Sequence, residues 1–438
     1  MSTRRRYHLG LDWGTSTTKL VLRDYEQGKA FVLIPGGRGG SYLYPSTISL
    51  FQKRVFFGRE AEVHRGGASQ VYDALKARIY QLAPKKPADG GRSIEEDIAT
   101  LYLAHAISIG FNVAEAHAGR GKAQALMGMT LGIPAEELDR SALRHDYTWM
   151  ARVAYEIAVR MGFDPQGKEL EKALALMREA REKLRKADKL TPPHQHSYAQ
   201  WLRAEMAAAM YWGIKSPAVQ ADLYSCVDIG AWTVNASYFR IHGTRDGEKG
   251  GITFFGGICA PPGVMELLKT VAGDLKRPPM SLIGEEEKHF STPAFTHHVG
   301  RFRDQCFSNW KKGFNRAYRK EPRQGAWDGK LNVMVVGGGS KVNKIRRIFH
   351  VKFPHEGWGS PIPMPDLGIP TDLYEFPVKG IIPQTSFHGD HAFLLVAYGL
   401  SVSSDDFPKT TLSPEVAPLP PRGRQKRIDS EDLGYDEK

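Results

Sequence analysis

Two stretches of this chain carry residue types suited to holding phosphate. The first is LGLDWGTSTTKLVL, residues 9–22. Leu9, Leu11, Leu20 and Leu22 are apolar flanks of β type, and between them lie Asp12, Gly14, Thr15, Ser16, Thr17, Thr18 and Lys19. A glycine at 14 predicts a turn with positive φ and a backbone open to close approach. The N–H groups and hydroxyls of such a turn form a concave donor surface for phosphate oxygens. Asp12 adds a carboxylate able to hold Mg²⁺ through water. The second stretch, VDIGAWTVN at 227–235, repeats the order with Asp228, Gly230 and Thr233. The two hairpins lie about 216 residues apart, which predicts an internal duplication. A third turn, Gly337, Gly338, Gly339, Ser340 and Lys341, follows an apolar strand at 332–336 and leads into a helical pattern, so backbone N–H groups and a helix start would meet a ligand there. Taken singly, each stretch is equally compatible with a plain hairpin or turn.

The elements that must position these residues alternate between strand and helix patterns, which predicts an α/β fold. Strands are expected at 31–34, 47–50, 54–57, 124–133, 222–229, 236–241 and 332–336. Helices are expected at 58–64, 94–118, 135–163, 167–190, 197–213 and 390–401. The 167–190 helix sets Leu170, Leu174, Met177 and Leu184 on one face and alternates Glu with Lys on the other, the pattern of a solvated surface helix or of a partner-binding coiled coil. Residues 354–383 read as loop, and 403–438, with five prolines and a basic cluster, as a disordered tail.

At 438 residues the chain is long enough for two or three domains. Its net charge of +12 comes from 60 basic and 48 acidic residues interspersed, which suits nucleotide phosphates as well as nucleic acid and requires no nucleic-acid partner. Cys226, Cys259 and Cys306 are odd in number and fit neither a zinc site nor a disulfide scaffold, so free thiols in a cytoplasmic, reducing compartment are expected. His194, His196, His297 and His298 lack a third ligand at fixed spacing, which disfavours zinc. The basic MSTRRR start has no apolar segment after it, and no uninterrupted apolar run is long enough to span a bilayer, so neither a secretion signal nor a membrane partner is expected.

In their joint order, seven segments resemble the actin-like ATPase superfamily, most closely the ATPase domain of 70-kilodalton heat-shock chaperones. LGLDWGTSTTK resembles the first phosphate motif and VDIGAWTVN the second; YDALKARI resembles the segment with a catalytic lysine, here Lys76. LGIPAEELD resembles the strand-to-helix motif with a switch proline, Pro134; EMAAAMYWG resembles a helix start with a functional glutamate, Glu205. VVGGGSKVNKI resembles the adenosine motif, and DHAFLLVAYGL the closing helix. The resemblance spans about residues 7–401 and implies two α/β lobes, each a ribonuclease H-like five-stranded mixed sheet, with a nucleotide in the cleft. Lobe I would comprise 1–220 with 384–404, and lobe II 221–383 with a reduced outer part at about 264–300.

The resemblance also implies roles. Asp12 and Asp228 would hold Mg²⁺ through water; Gly14, Thr15, Ser16, Gly230 and Thr233 would grip the phosphates of ATP or ADP. Gly256, Gly257, Gly337, Gly338, Gly339, Ser340 and Lys341 would line the rest of the nucleotide site. Lys76 and Glu205, which alone read as a surface lysine and an exposed helix carboxylate, would join Asp12 and Asp228 in catalysis of ATP hydrolysis. Of three departures, the first two point to slow hydrolysis or to binding alone, and the third to a reduced clamp on the nucleotide. Ala231 and Trp232 replace glycines, so Trp232 would be strained if its φ were positive and would crowd the terminal phosphate; Asn235 replaces a carboxylate; and only about 75 residues separate Gly257 from Asn332. Residues 402–438 match no peptide-binding domain, so peptide binding by the chaperones' route is not expected. The implied function is a chaperone-like ATP-dependent switch acting on a protein partner. The alternatives are an actin-like filament, a non-catalytic scaffold and, last for want of a hydroxyl-activating aspartate, a metabolite kinase.

Overall fold

Two antiparallel meanders, each extended by parallel strands, form the framework. The computed structural model describes residues 3–35, 41–82, 93–119, 123–134, 141–190, 198–215, 219–243, 249–276, 286–321, 331–341, 361–363, 373–377, 385–386 and 393–416. In the first sheet β1 (Thr3–Trp13), β2 (Thr17–Asp24) and β3 (Lys29–Ile34) run antiparallel, and β4 (Tyr44–Pro45) pairs with the start of β2. A smaller sheet carries β5 (Ile48–Phe51), β6 (Arg54–Phe57), β7 (Gln70–Tyr72) and β9 (Lys168–Glu169). The parallel strand β8 (Ala123–Ile133) lies beside β1, and β10 (Leu202–Ala204) lies beside β8. The second sheet repeats this plan. β11 (Leu223–Ile229), β12 (Val234–Gly243) and β13 (Lys249–Ala260) form the meander, β14 (Asn332–Val336) runs parallel to β11, and β15 (Pro361–Pro363) parallel to β14.

The two first hairpins match residue for residue. Asp12 stands opposite Lys19 in one, and Asp228 opposite Asn235 in the other. The mixed α/β architecture expected from the sequence is present, and five strands of each sheet follow the same order.

Ten helices are described: α1 (Gly58–His64), α2 (Leu75–Leu82), α3 (Ile94–Ala118), α4 (Ser141–Tyr155), α5 (Leu170–Leu190), α6 (Glu205–Lys215), α7 (Val264–Leu275), α8 (Glu286–Phe290), α9 (Thr296–Tyr318) and α10 (Leu395–Leu400). Ser93 caps α3, its hydroxyl accepting from Glu96 N–H, and Gly119 ends it in the left-handed region at φ +83°. By length and composition α3 is apolar enough to cross a membrane, contrary to the expectation from uninterrupted runs, yet 83% of its apolar stretch is buried inside the protein. It is the core helix of the first sheet. Gly110 of α3 lies on Leu9, whereas the next strand residue, Gly10, lies on the backbone of α10. Successive strand residues point to opposite faces, so α3 and α10 sandwich β1.

The approach of α10 is close. A Cβ at Gly10 would sit 2.2 Å from the Ala397 carbonyl oxygen, and one at Gly399 would sit 1.9 Å from that of Ala208 on α6. Arg203 Nη1 donates to the carbonyls of Gly399 (2.9 Å) and Val402 (2.8 Å), satisfying the helix end. In the second sheet α9 covers β12 and β13, where Trp310 Nε1 donates to Ser225 Oγ at 3.0 Å.

Several expectations are corrected. Leu202–Ala204 is a strand, so helix α6 begins at Glu205 rather than at 197. Strands Pro361–Pro363 and Leu373–Pro377 (β16) lie within the expected 354–383 loop, and β16 joins β3 of the first sheet although 221–383 was grouped with the second. A short β17 (Thr385–Ser386) pairs with β16. Part of the expected disordered tail is built into the second sheet: β18 (Lys409–Thr411) pairs with β13, and Ser413 Oγ donates to Phe255 O at 3.0 Å. Residues 417–438 lie outside the described residues. The stripe on α5 is covered from within, since Ala173, Met177 and Ala180 are buried in the main core and Leu170, Leu174 and Leu184 pack against it.

Candidate functional site

The first turn is held by a chain of hydroxyls. Gly14 N–H donates to Thr17 O at 3.1 Å and closes the turn. Ser46, just after β4, donates from its backbone to Ser16 O (2.9 Å) and from its hydroxyl to Gly14 O (2.7 Å). Thr18 Oγ1 meets Ser46 Oγ at 3.0 Å, and Tyr102 OH on α3 donates to Thr18 Oγ1 at 2.8 Å. The core helix therefore fixes the turn through two hydroxyls. Gly14 does not have positive φ, contrary to expectation. Close approach explains the glycine, since a Cβ there would lie 2.5 Å from Thr17 O. Thr15 and Ser16 are half-buried, and among the described residues their N–H groups reach no protein acceptor.

The second turn has the same closure, Gly230 N–H to Thr233 O at 2.9 Å, but a different mounting. Its carbonyls Gly230 O and Ala231 O accept from Val264 N–H (3.0 Å) and Met265 N–H (2.7 Å), the first turn of α7. Gly263 permits this contact, because a Cβ there would lie 2.3 Å from the Ala231 carbonyl and Trp232 N. Ala231 and Trp232 do not have positive φ, so the strain anticipated for Trp232 is absent. Among the described residues their N–H groups, like those of Thr15 and Ser16, reach no protein acceptor.

The two turns touch. Trp232 Nε1 donates to Ser16 Oγ at 3.1 Å, a bond between residues 216 positions apart that are equivalent in the duplicated hairpins.

Charged groups gather beside this contact. Lys19 Nζ pairs with Asp12 Oδ2 at 3.0 Å across the hairpin. Lys76 on α2 pairs with Glu205 Oε1 at 2.5 Å, both side chains 7% exposed. Burial raises Glu205 above the ordinary carboxylate range; Lys76 opposes that shift and the charge of Asp12 adds to it. Asp228 is closely surrounded by protein while one edge still meets solvent. Burial pushes its carboxyl up to about 7, Glu205 and Asp12 push it further, and Lys19 and Lys76 oppose. Asp12, Glu205 and Asp228 thus share one field with Lys19 and Lys76, three carboxylates against two ammonium groups.

The third glycine turn backs onto this cluster. Gly337 has φ +82°, and a Cβ there would lie 2.0 Å from Asp228 Oδ1. Gly339 packs on Ile229 and Val264, and Gly338 on Phe393. Gly338–Lys341 makes one helical turn; the side chains of Ser340 and Lys341, and the residues that follow to 350, lie outside the described ones. Gly256 and Gly257 sit within β13, where Gly256 admits Ala317 of α9 and Gly257 admits the Ala236 carbonyl, so packing accounts for both without a ligand.

Among the described residues, Asp12 and Asp228 are the carboxylates that the two hairpins offer to a metal ion. Among the described residues no three His, Cys, Asp or Glu side chains group for direct ligation. Two carboxylates suit an ion that keeps most of its water, as Mg²⁺ does. Asn235 supports that fit: its Oδ1, across the ladder from Asp228, is buried with no hydrogen-bond partner among the described residues and can accept from a bound water. His298 pairs with Asp274 at 3.2 Å, while His194 and His196 lie outside the described residues.

Sequence reasoning gave Lys19 no role, although its seven-residue spacing from Asp12 around a closed turn fixes the pairing. It also missed Ser46 and Tyr102, whose sequence surroundings carry no signal.

No family model matches this chain, and no curated protein matches it.

Proposed function

We propose that this chain is a nucleotide-binding switch of the two-lobed actin-like type, akin to the ATPase domain of 70-kilodalton heat-shock chaperones, that binds ATP or ADP with Mg²⁺ and hydrolyses ATP slowly. One observation carries the reading: two equivalent Asp–Gly turns, from two sheets of matching topology, meet at Ser16 and Trp232 beside five clustered charges. The free N–H groups of residues 15, 16, 231 and 232 supply donors for phosphate oxygens. Lys19 and Lys76 neutralise phosphate charge. Bound Mg²⁺ would neutralise phosphate oxygens further, held through its waters by Asp12 and Asp228.

In hydrolysis a water oxygen forms a bond to the terminal phosphorus as the bond to the bridging oxygen breaks. Glu205, its basicity raised by burial and its carboxylate fixed by Lys76, takes the water proton. Slow turnover follows from Trp232 standing between the turns and from Asn235 in place of a carboxylate. Closure of the two sheets on nucleotide would present a changed surface to a protein partner in the cytoplasm.

Calorimetric titration of the full chain with ATP and with ADP, in Mg²⁺ and in EDTA, tests this. Micromolar binding that weakens at least about tenfold in EDTA is expected. No binding of either nucleotide contradicts it. The non-catalytic variant of the reading is favoured by Trp232 and Asn235, and phosphate release above background excludes it.

A further inference from the structure

Trp232 is half-buried and held by two side-chain contacts. Its N–H is bonded to Ser16 Oγ at 3.1 Å, and Lys269 Nζ of α7 lies 4.1 Å from the centre of its ring. The turn that carries it cannot retreat alone, because the carbonyls of Gly230 and Ala231 are bonded to the start of α7 and Gly263 is in backbone contact behind it. A phosphate that accepts from the free N–H groups of both turns must enter between residues 15–16 and 231–232. The direct Ser16–Trp232 bond spans that entry and must give way to a phosphate oxygen bound there. A ligand whose last phosphate engages only the first turn meets no such obstacle, because Ser16 keeps the free N–H on its backbone while its hydroxyl is engaged.

We propose that Trp232 determines specificity by closing the position that bridges the two turns, so that the resting site takes a nucleoside diphosphate in preference to a triphosphate. This rests on the nucleotide reading above. It adds a direction of preference and assigns it to one side chain. Breaking the Ser16–Trp232 bond is then the step that admits a triphosphate.

The experiment has two readouts on the full-length protein. In ligand-free protein labelled with 5-fluorotryptophan, the Trp232 resonance is assigned by its loss in Trp232→Phe and compared with Ser16→Ala. A shift in Ser16→Ala is expected, and an unmoved resonance overturns the inference whatever the nucleotides do. Dissociation constants for ADP and ATP with Mg²⁺ are then measured for wild type, Trp232→Phe and Trp232→Ala. ADP is expected to bind wild type about tenfold or more tighter than ATP, with the ratio near one in Trp232→Ala and between the two in Trp232→Phe, which keeps the ring and loses the N–H. An equal ratio in all three proteins, or an ATP affinity that falls in Trp232→Ala, overturns the inference and leaves the nucleotide reading standing. Absence of binding by both nucleotides in all three removes that reading and this inference together.

Discussion

His8 is a buried group whose protonation opposes folding in acid. It lies in β1 with Nε2 2.8 Å from Thr130 Oγ1. Burial, aided by the charges of Arg203 and Arg23, lowers its pKa from 6.5 to about 3. The folded state therefore holds His8 neutral where the unfolded chain would protonate it. Its contribution is complete above pH ~6.5 and is lost as the pH falls towards ~3, a change on the order of 5 kcal/mol. His8→Gln can keep the bond to Thr130 and does not titrate. The urea midpoint of this variant is expected to fall less than that of wild type between pH 6.5 and 4.5; equal slopes contradict the assignment. At the same scale, the sequence showed which residues carry charge but not which are enclosed. Glu205 and Lys76, plain in isolation, are the most enclosed ion pair of the site because the start of α6 and α2 bring them together. Trp232 was expected to be strained by analogy with glycines, but glycine there is not required by φ.

At the scale of elements, the fit of α10 between β1 and α6 depends on glycine at both contacts. Gly399→Ala would push a methyl group into the Ala208 carbonyl, 1.9 Å away, which only a shift of backbone can relieve. Overpacking of this kind costs about 1–3 kcal/mol, more when the obstacle is main chain. A fall in thermal midpoint of several degrees is expected from scanning calorimetry, and an unchanged midpoint would show that α10 moves freely. The hairpins were legible because apolar alternation, a glycine and a hydroxyl run agree locally. β10 was not, since three residues are too few to establish a period of two and run straight into the helix begun by Glu205. β16 and β18 were missed for a similar reason. Both are short and flanked by proline-rich sequence, and their pairing with β3 and β13 is decided by distant strands.

For the whole molecule, duplication was the feature written most plainly in the chain, because the same seven-residue span links Asp12 to Lys19 and Asp228 to Asn235. What the sequence could not supply was the meeting of the two halves, since the Ser16–Trp232 bond depends on how both sheets are mounted. The central claim is that Asp12 and Asp228 serve one ligand between them. A double-mutant cycle in Mg-ADP affinity, with Asp12→Ala, Asp228→Ala and the double variant measured by calorimetry, tests it most directly. If both carboxylates hold the same hydrated ion, each single change weakens binding about tenfold or more, and the double change falls short of the product of the two by a coupling of at least about 1 kcal/mol. Losses that simply multiply, or affinities untouched by either substitution, would contradict a shared site.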